Sequence, residues 1–395
     1  MNLGQYNSFL WLGVFLCILL DSMETQVIQV DRWVPDAEEI ARAAVLVDAG
    51  ALVAFPTETV YGIACRVASE PLARLDLVKN REPNKPYTLH IGRKEDLPMY
   101  VPNQQVRVRK LVDRAWPGPL TVIFELSEED LGEQRKRLGR EVFENLYRGN
   151  TIGVRCPDNA AAAMLLRQVQ NPVVAPSANI TGRPPAADAE AVLAQLAGQV
   201  DAVVDGGPCR YKKSSTVVRA VRRGFEVLRE GMYSADDLER ISQVRFLFVC
   251  TGNTCRSPMA GGIFMKYLAE KIGCKVDEIE KFGYKVGSAG VIETSGFAAT
   301  KAAAAACSAK GVDIRSHRSR KLTSKLVVES DMIFAMCRAH REHVIALDGR
   351  AAGKCVLMAG GLDIPDPIGQ PQQVYNECAD LIEGSVKERI SELLI

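Results

Sequence analysis

The chain is poor in histidine and carries almost no surplus charge. Four histidines in 395 residues, unclustered, and the lack of any C-x-x-C pair leave no spacing that builds a zinc cage, so no structural metal is expected. A formal net charge of +1 removes bulk attraction to nucleic acid or to an acidic membrane, although local basic clusters remain free to hold phosphates. Eleven cysteines, an odd number without a framework spacing, argue against an oxidised secreted scaffold and for a reducing compartment, the cytoplasm. Residues 9–20 (FLWLGVFLCILL) form a 12-residue apolar run, short of a membrane span. Its length suits a signal-peptide core, yet no Lys or Arg precedes it and no clean cleavage site follows. The expectation is a start placed too early, with Met23 as the alternative, residues 1–33 as an extension and no membrane partner.

What is present is periodic. Residues 36–49 read as an amphipathic helix closed by Gly50 and followed by the strand ALVAF. The apolar runs YTLHI, LTVIFEL, TIGVR, PVVAP and DAVVD then alternate with helical stretches, including 159–170 and 186–197, before the pair STVVRAV and GFEVLRE. This predicts an α/β domain with a twisted mixed sheet over 34–233. A polar linker or connecting helix, 234–243, leads to strict strand–helix alternation over 244–395. There, helices at 258–272, 297–310, 338–347 and 373–393 predict a doubly wound, parallel, four-stranded sheet.

Cys250 to Pro258 read C-T-G-N-T-C-R-S-P, a cysteine at the end of a buried strand and an arginine at the start of a helix. Loop N–H groups at a helix N-terminus converge on an anion, and the same field with Arg256 favours a thiolate at Cys250. Arg256 suits two phosphoryl oxygens at once, Ser257 a hydrogen bond to the sulfur, and Gly252 a close approach of backbone to anion. The segment 244–395 resembles the low-molecular-weight protein phosphatase family. The resemblance implies a phosphocysteine mechanism without cofactor and a phosphoprotein substrate. It makes Asp366 in D-I-P-D-P-I-G the general acid, with Asp363 as the positional alternative. Thr251, Gly252, Asn253, Thr254 and Cys255 form the phosphate loop by this likeness, with Ser288 of S-A-G as its brace. Cys255 reads as a reversible guard against over-oxidation or as a small loop filler. Thr254 and Ile368 stand where tyrosine phosphatases of the family carry bulky aliphatic and aromatic residues, so the string looks closest to the protein-arginine phosphatase branch; Ile368 departs from that branch too. An arsenate-reductase relay needs two more closely spaced cysteines, and Cys307, Cys337, Cys355 and Cys378 are far apart.

No nucleophile stands out before residue 234. Cationic and hydroxyl residues recur at strand and helix ends instead: P-T-E-T-V-Y-G (56–62), K-N-R-E-P-N-K-P (79–86), R-C-P (155–157), S-A-N (177–179), S-S-T-V-V (214–218) and L-R-E-G (228–231). Cations from separate segments suit a triphosphate and a carboxylate. Together these strings resemble the YrdC-like threonylcarbamoyl-AMP synthase family. The resemblance implies that L-threonine, bicarbonate and ATP, with Mg²⁺, give threonylcarbamoyl-AMP and pyrophosphate. The product would then go to tRNA-modification proteins that transfer the threonylcarbamoyl group. It implies Thr57, Tyr61 and His90 around threonine, and Lys79, Arg81 and Arg155 on carboxylate and phosphates. Ser177, Asn179, Thr216 and Arg229 would line the nucleotide site. His90 reads otherwise as a satisfied strand histidine, and Glu230 replaces a usual proline. Two other readings are weighed. A carbamoyl-transfer domain of the hydrogenase-maturation kind would bring zinc-finger and acylphosphatase segments that are absent. A double-stranded RNA-binding or nucleotide-binding module beside a catalytic phosphatase would need interleaved aromatics for stacking, also absent.

Overall fold

The structure, a computed structural model, describes residues 24–82 and 85–395; the apolar run 9–20, Met23 and residues 83 and 84 lie outside the described residues. The described chain divides into two compact units. The first takes residues up to 103 with 115–220 and 226–235; the second takes 104–114, 221–225 and 236–395. Residues 104–114 and 221–225, which the sequence assigns to the first domain, therefore group with the second unit.

The first unit carries a mixed sheet of ten strands: β1 Gln26–Gln29, β2 Val53–Phe55, β3 Gly62–Arg66, β4 Thr88–His90, β5 Leu120–Glu125, β6 Thr151–Arg155, β7 Val173–Val174, β8 Ala202–Asp205, β9 Thr216–Val221 and β10 Gly224–Arg229. Their order is β1-β8-β2-β3-β7-β4-β6-β5-β9-β10. Parallel pairs (β2 with β8, β4 with β6, β5 with β9) occur beside antiparallel ones (β2 with β3, β5 with β6), as the mixed-sheet expectation requires. The sheet begins upstream of residue 34, because β1 pairs in register with β8. Only Ile28 of that strand is buried, too weak a pattern to read as a strand. The helix Ala37–Asp48 starts where the Asp36 carboxylate accepts the N–H groups of Glu38 and Glu39. Its Ile40 and Val47 pack with Phe55, Leu165 and Val204 into one cluster.

The second unit is a parallel sheet of β11 Val244–Cys250, β12 Tyr284–Gly290, β13 Met332–Ala335 and β14 Cys355–Leu357, in the order β12-β11-β13-β14. Alternation along β11 feeds two cores. Phe246, Phe248 and Cys250 face the helices Arg256–Ile272 and Gln372–Glu392, while Leu247 and Val249 join Ile333 and Val344 on the other side. The strand order reverses at β11, so a crevice opens at its carboxyl end, where Cys250 stands. The helix expected over 297–310 is only Lys301–Ser308, because the Thr300 hydroxyl caps it by accepting the Ala303 N–H.

Candidate active sites

At the end of β11 the chain turns through residues 251–255 into the helix Arg256–Ile272. Asn253 is the turn's pivot, at φ 55°, a left-handed conformation that asparagine tolerates better than most residues. Its backbone N–H lies 3.2 Å from the Cys250 sulfur. Its side-chain N–H₂ donates to both Ser257 Oγ and Ser288 Oγ, each at 2.8 Å, and its Oδ1 accepts the Arg320 N–H at 3.0 Å. Because Ser257 Oγ accepts from Asn253, its own proton is free to point at the sulfur 3.0 Å away. Gly290 lies against the loop: a Cβ there would come within 2.7 Å of the Thr251 carbonyl oxygen. Gly252 itself meets nothing nearer than the Thr254 hydroxyl at 3.6 Å, which leaves open space on its outer side.

The Arg256 guanidinium is buried beside the sulfur's loop. It donates to the Ile364 carbonyl at 3.1 Å and to Thr251 Oγ1 at 3.0 Å, and forms an ion pair with Asp366. Asp363 accepts the Arg338 N–H instead, outside this group. Burial pushes the Cys250 thiol up, against the downward pull of Ser257, Arg256 and the Asn253 N–H. The thiolate expected from sequence is thus opposed by desolvation in this arrangement, in which Arg256 is paired with Asp366. His340, which no motif marks, hydrogen-bonds Thr251 Oγ1 through Nε2 at 2.9 Å and Cys337 Sγ through Nδ1 at 3.2 Å. Burial, then the Arg256 charge, lowers its pKa to about 4, so near neutral pH it is an uncharged link in the chain Arg256–Thr251–His340. The Cys255 sulfur faces Thr300 Oγ1 at 3.5 Å and the Tyr375 hydroxyl at 3.7 Å.

In the first unit, a cavity of about 300 Å³ gathers residues at or beside the ends of strands β2 to β7, β9 and β10 and from the loop after the helix Ser69–Lys79. Arg81, Lys85, Arg155 and Arg229 give its wall four cations and no carboxylate stands on it. Thr57, Tyr61, His90 and Ser177, also expected in this site, line it as well. Arg155 is fixed from behind: its Nη2 donates to Glu58 Oε1 at 2.8 Å and to Thr59 Oγ1 at 2.6 Å. The Glu58 side chain is wholly buried, and its second oxygen accepts the Asp158 N–H. His90 stays neutral, its pKa lowered to about 3 by burial and then by Arg155.

The family model for Sua5, YciO and YrdC, described as telomere recombination, matches residues 45–231, and that for low-molecular-weight phosphotyrosine protein phosphatase matches 245–394. The threonylcarbamoyl-AMP synthase of Pyrococcus abyssi is 30% identical over 280 residues, 66% of this chain and 78% of that protein. That of Bacillus subtilis is 33% identical over 51% of this chain and 56% of its own length. The chain belongs to the threonylcarbamoyl-AMP synthase family. It joins a synthase-type domain to a low-molecular-weight phosphatase domain, and is an enzyme of both classes. Among solved structures, a low-molecular-weight protein tyrosine phosphatase from T. tengcongensis is 33% identical over 38% of this chain and all of its own, at a TM-score of 0.34. The YwlE arginine phosphatase from Geobacillus stearothermophilus is 29% identical over 38% of this chain and 92% of its own, at 0.33.

Within the synthase-type domain three expected site residues stand off the cavity wall. Lys79 is buried and donates to the Ser177 carbonyl and, at 2.6 Å, to that of Asn179, and burial lowers its pKa to about 8. It holds the S-A-N turn rather than facing the cavity. Asn179 turns its N–H₂ to the carbonyls of Ile180 and Arg183, each at 2.8 Å. Thr216 ties the following turn, accepting the N–H groups of Gly231 and Tyr233 and donating to the Tyr233 carbonyl. Arg81 reaches the wall while held by the carbonyls of Lys85 and Pro86 and lying over the Tyr87 ring. Ser215, Thr121 and Glu58 were not singled out in the sequence. Ser215 binds Arg229 through its carbonyl at 2.9 Å and Thr121 through its hydroxyl at 3.1 Å.

Proposed function

We infer that the first domain makes threonylcarbamoyl-AMP from L-threonine, bicarbonate and ATP, releasing pyrophosphate. The observation that carries this is the carboxylate-free wall bearing Arg81, Lys85, Arg155 and Arg229. Four cations, three of them held by hydrogen bonds, suit a triphosphate and an amino-acid carboxylate, and neutralise charge as a phosphoanhydride bond is exchanged. That wall offers no carboxylate, and no group of three or more His, Cys, Asp or Glu side chains stands together among the described residues to hold Mg²⁺. The ion would enter with the ATP phosphates. Release of pyrophosphate from ATP should require both threonine and bicarbonate; turnover without threonine would overturn the reading. The product goes to proteins that modify tRNA. A reducing compartment, the cytoplasm, fits ten described cysteines that are all free thiols. No helix among the described residues is long and apolar enough to cross a membrane.

For the second domain we read a two-step phosphoryl transfer. The Cys250 sulfur attacks phosphorus, the bond to the leaving group breaks, and Asp366 protonates that group. Water then attacks the phosphocysteine, Asp366 takes its proton, and the S–P bond breaks to free phosphate. In both steps Arg256 and the loop N–H groups hold the phosphoryl oxygens, for which Arg256 must give up Asp366. The substrate we favour is phosphoarginine on protein. Half-buried Thr254 offers a hydroxyl and exposed Ile368 an aliphatic edge at the mouth, where a phosphotyrosine ring would want aromatic walls. Wild type should turn over phosphoarginine faster than phosphotyrosine, and Thr254→Ile should reverse the order; a phosphotyrosine preference in the wild type would refute this. The two activities share no intermediate. Cys250→Ser should therefore abolish phosphatase turnover and leave pyrophosphate release unchanged.

A further inference from the structure

Behind the phosphate loop lies a second cavity of about 300 Å³, to which none of residues 250–255 contributes. It sits between the first half of the helix Arg256–Ile272, the strand β12 and the segment 313–320. Three glycines pave it. Gly262 has no room for a side chain, since a Cβ would come within 2.7 Å of Ile314, whereas at Gly287 a Cβ would meet the flexible end of Arg320 at 2.4 Å. At Gly261 the nearest atoms stand 3.8 Å off, so there the missing side chain leaves space. Pro258, Met265, Val286 and Ile314 give the cavity apolar sides.

The polar rim is cationic. Asp313 is its sole carboxylate, and Arg315 occupies both of that residue's oxygens. Among the described residues, the Arg318 guanidinium donates to the carbonyls of Arg315 and His317 and that of Arg320 to the Ser288 carbonyl through Nε, and neither has an anionic partner there. The same rim holds the phosphate loop. His317 Nε2 bonds the Asn253 carbonyl at 2.7 Å, and the Arg320 N–H bonds Asn253 Oδ1. Asn253 in turn places an N–H on the nucleophilic sulfur.

We propose that this cavity is an effector site for a small carboxylic acid with an apolar body. Its carboxylate pairs with Arg318 and Arg320, and its occupancy alters phosphatase turnover through His317, Arg320 and Asn253. Two guanidinium groups bonded to carbonyls and to no carboxylate among the described residues, above apolar sides, match that chemistry, and carboxylate pairing is what a planar fork does best. Coupling requires only that the bound acid shift the segment 317–320, which already contacts Asn253 on two sides.

Benzoate is the probe, added to the full chain. Calorimetry should show one site per chain, and with a phosphomonoester substrate benzoate should change kcat without raising KM. Arg318→Ala, an exposed change outside the catalytic loop, should weaken binding about tenfold with basal turnover intact, as expected for one lost charge-assisted pair. Gly261→Leu should fill the cavity and abolish binding. A rise in KM alone would place benzoate in the catalytic pocket and overturn the proposal, as would absence of binding or affinity unmoved by both variants. Calorimetry reads binding whatever the phosphatase substrate proves to be, so the two readings fail separately.

Discussion

Glu58 has no exposed side-chain surface and balances Arg155, itself nearly buried. Deleting one member of such a pair strands the other charge in a poorly solvated place, which costs about 3–5 kcal/mol. Glu58→Ala should lower unfolding stability by that order in urea and misplace Arg155 on the cavity wall; a change under about 1 kcal/mol would mean the pair is dispensable. In the phosphatase site, His340→Ala should free Thr251 and with it one of the contacts that orient Arg256. We expect kcat to fall about tenfold with KM little changed, on the scale of one lost hydrogen bond to a charged group. Partial rescue by His340→Gln would separate positioning from mere packing, and unchanged kcat in the alanine variant would dismiss the link. Neither residue stood out in the sequence. Glu58 lies inside P-T-E-T-V-Y-G, but an acid beside phosphate-binding groups makes sense only once the sheet sets Arg155 against it. His340 belongs to no motif, and 89 residues separate it from Thr251.

Among the elements, the strand β11 and the helix Arg256–Ile272 carry the phosphatase, and how closely that helix can approach its neighbours matters. Gly262 faces Ile314 and Val312 at distances that a Cβ would cut to 2.7 and 2.9 Å. Gly262→Ala should destabilise this unit by about 1–3 kcal/mol through overpacking, while Gly261→Ala, with ordinary contacts, should be near neutral. Equal thermal shifts for the two variants would contradict the packing account. These elements were legible in the sequence because their patterns are long: a seven-residue, nearly continuous apolar run in β11 and seventeen residues in the helix. Strand β1 was not. Four residues with one buried side chain leave no period to detect, and its pairing with β8 supplies the order. The catalytic loop was readable for another reason, since Cys, Arg, Ser and Pro at fixed spacing have few uses besides an anion nest.

For the molecule as a whole, acid is the informative stress. His90 and His340 have folded pKa values of about 3 and about 4, both depressed by burial below the ordinary value near 6.5. Between those limits the unfolded chain binds more protons than the folded one. The stabilisation is therefore complete above about pH 6.5 and is lost as pH falls, at up to about 1.4 kcal/mol per pH unit for each group. Urea midpoints measured from pH 7 to 4.5 should drop, and His90→Asn should flatten the slope of the synthase-type unit. A pH-independent midpoint in wild type would reject both shifts. The α/β class, the two families and the residue types that meet phosphate can be read along the chain, because strand and helix periods and nearby motif spacings are local properties. That Lys79, Asn179 and Thr216 support turns away from the cavity wall, that Glu58 holds Arg155, and that His340 reaches Thr251 emerge once the chain is folded. Those outcomes depend on which distant segments share a buried polar partner, and hydrogen-bond satisfaction in a packed interior is settled by the whole fold.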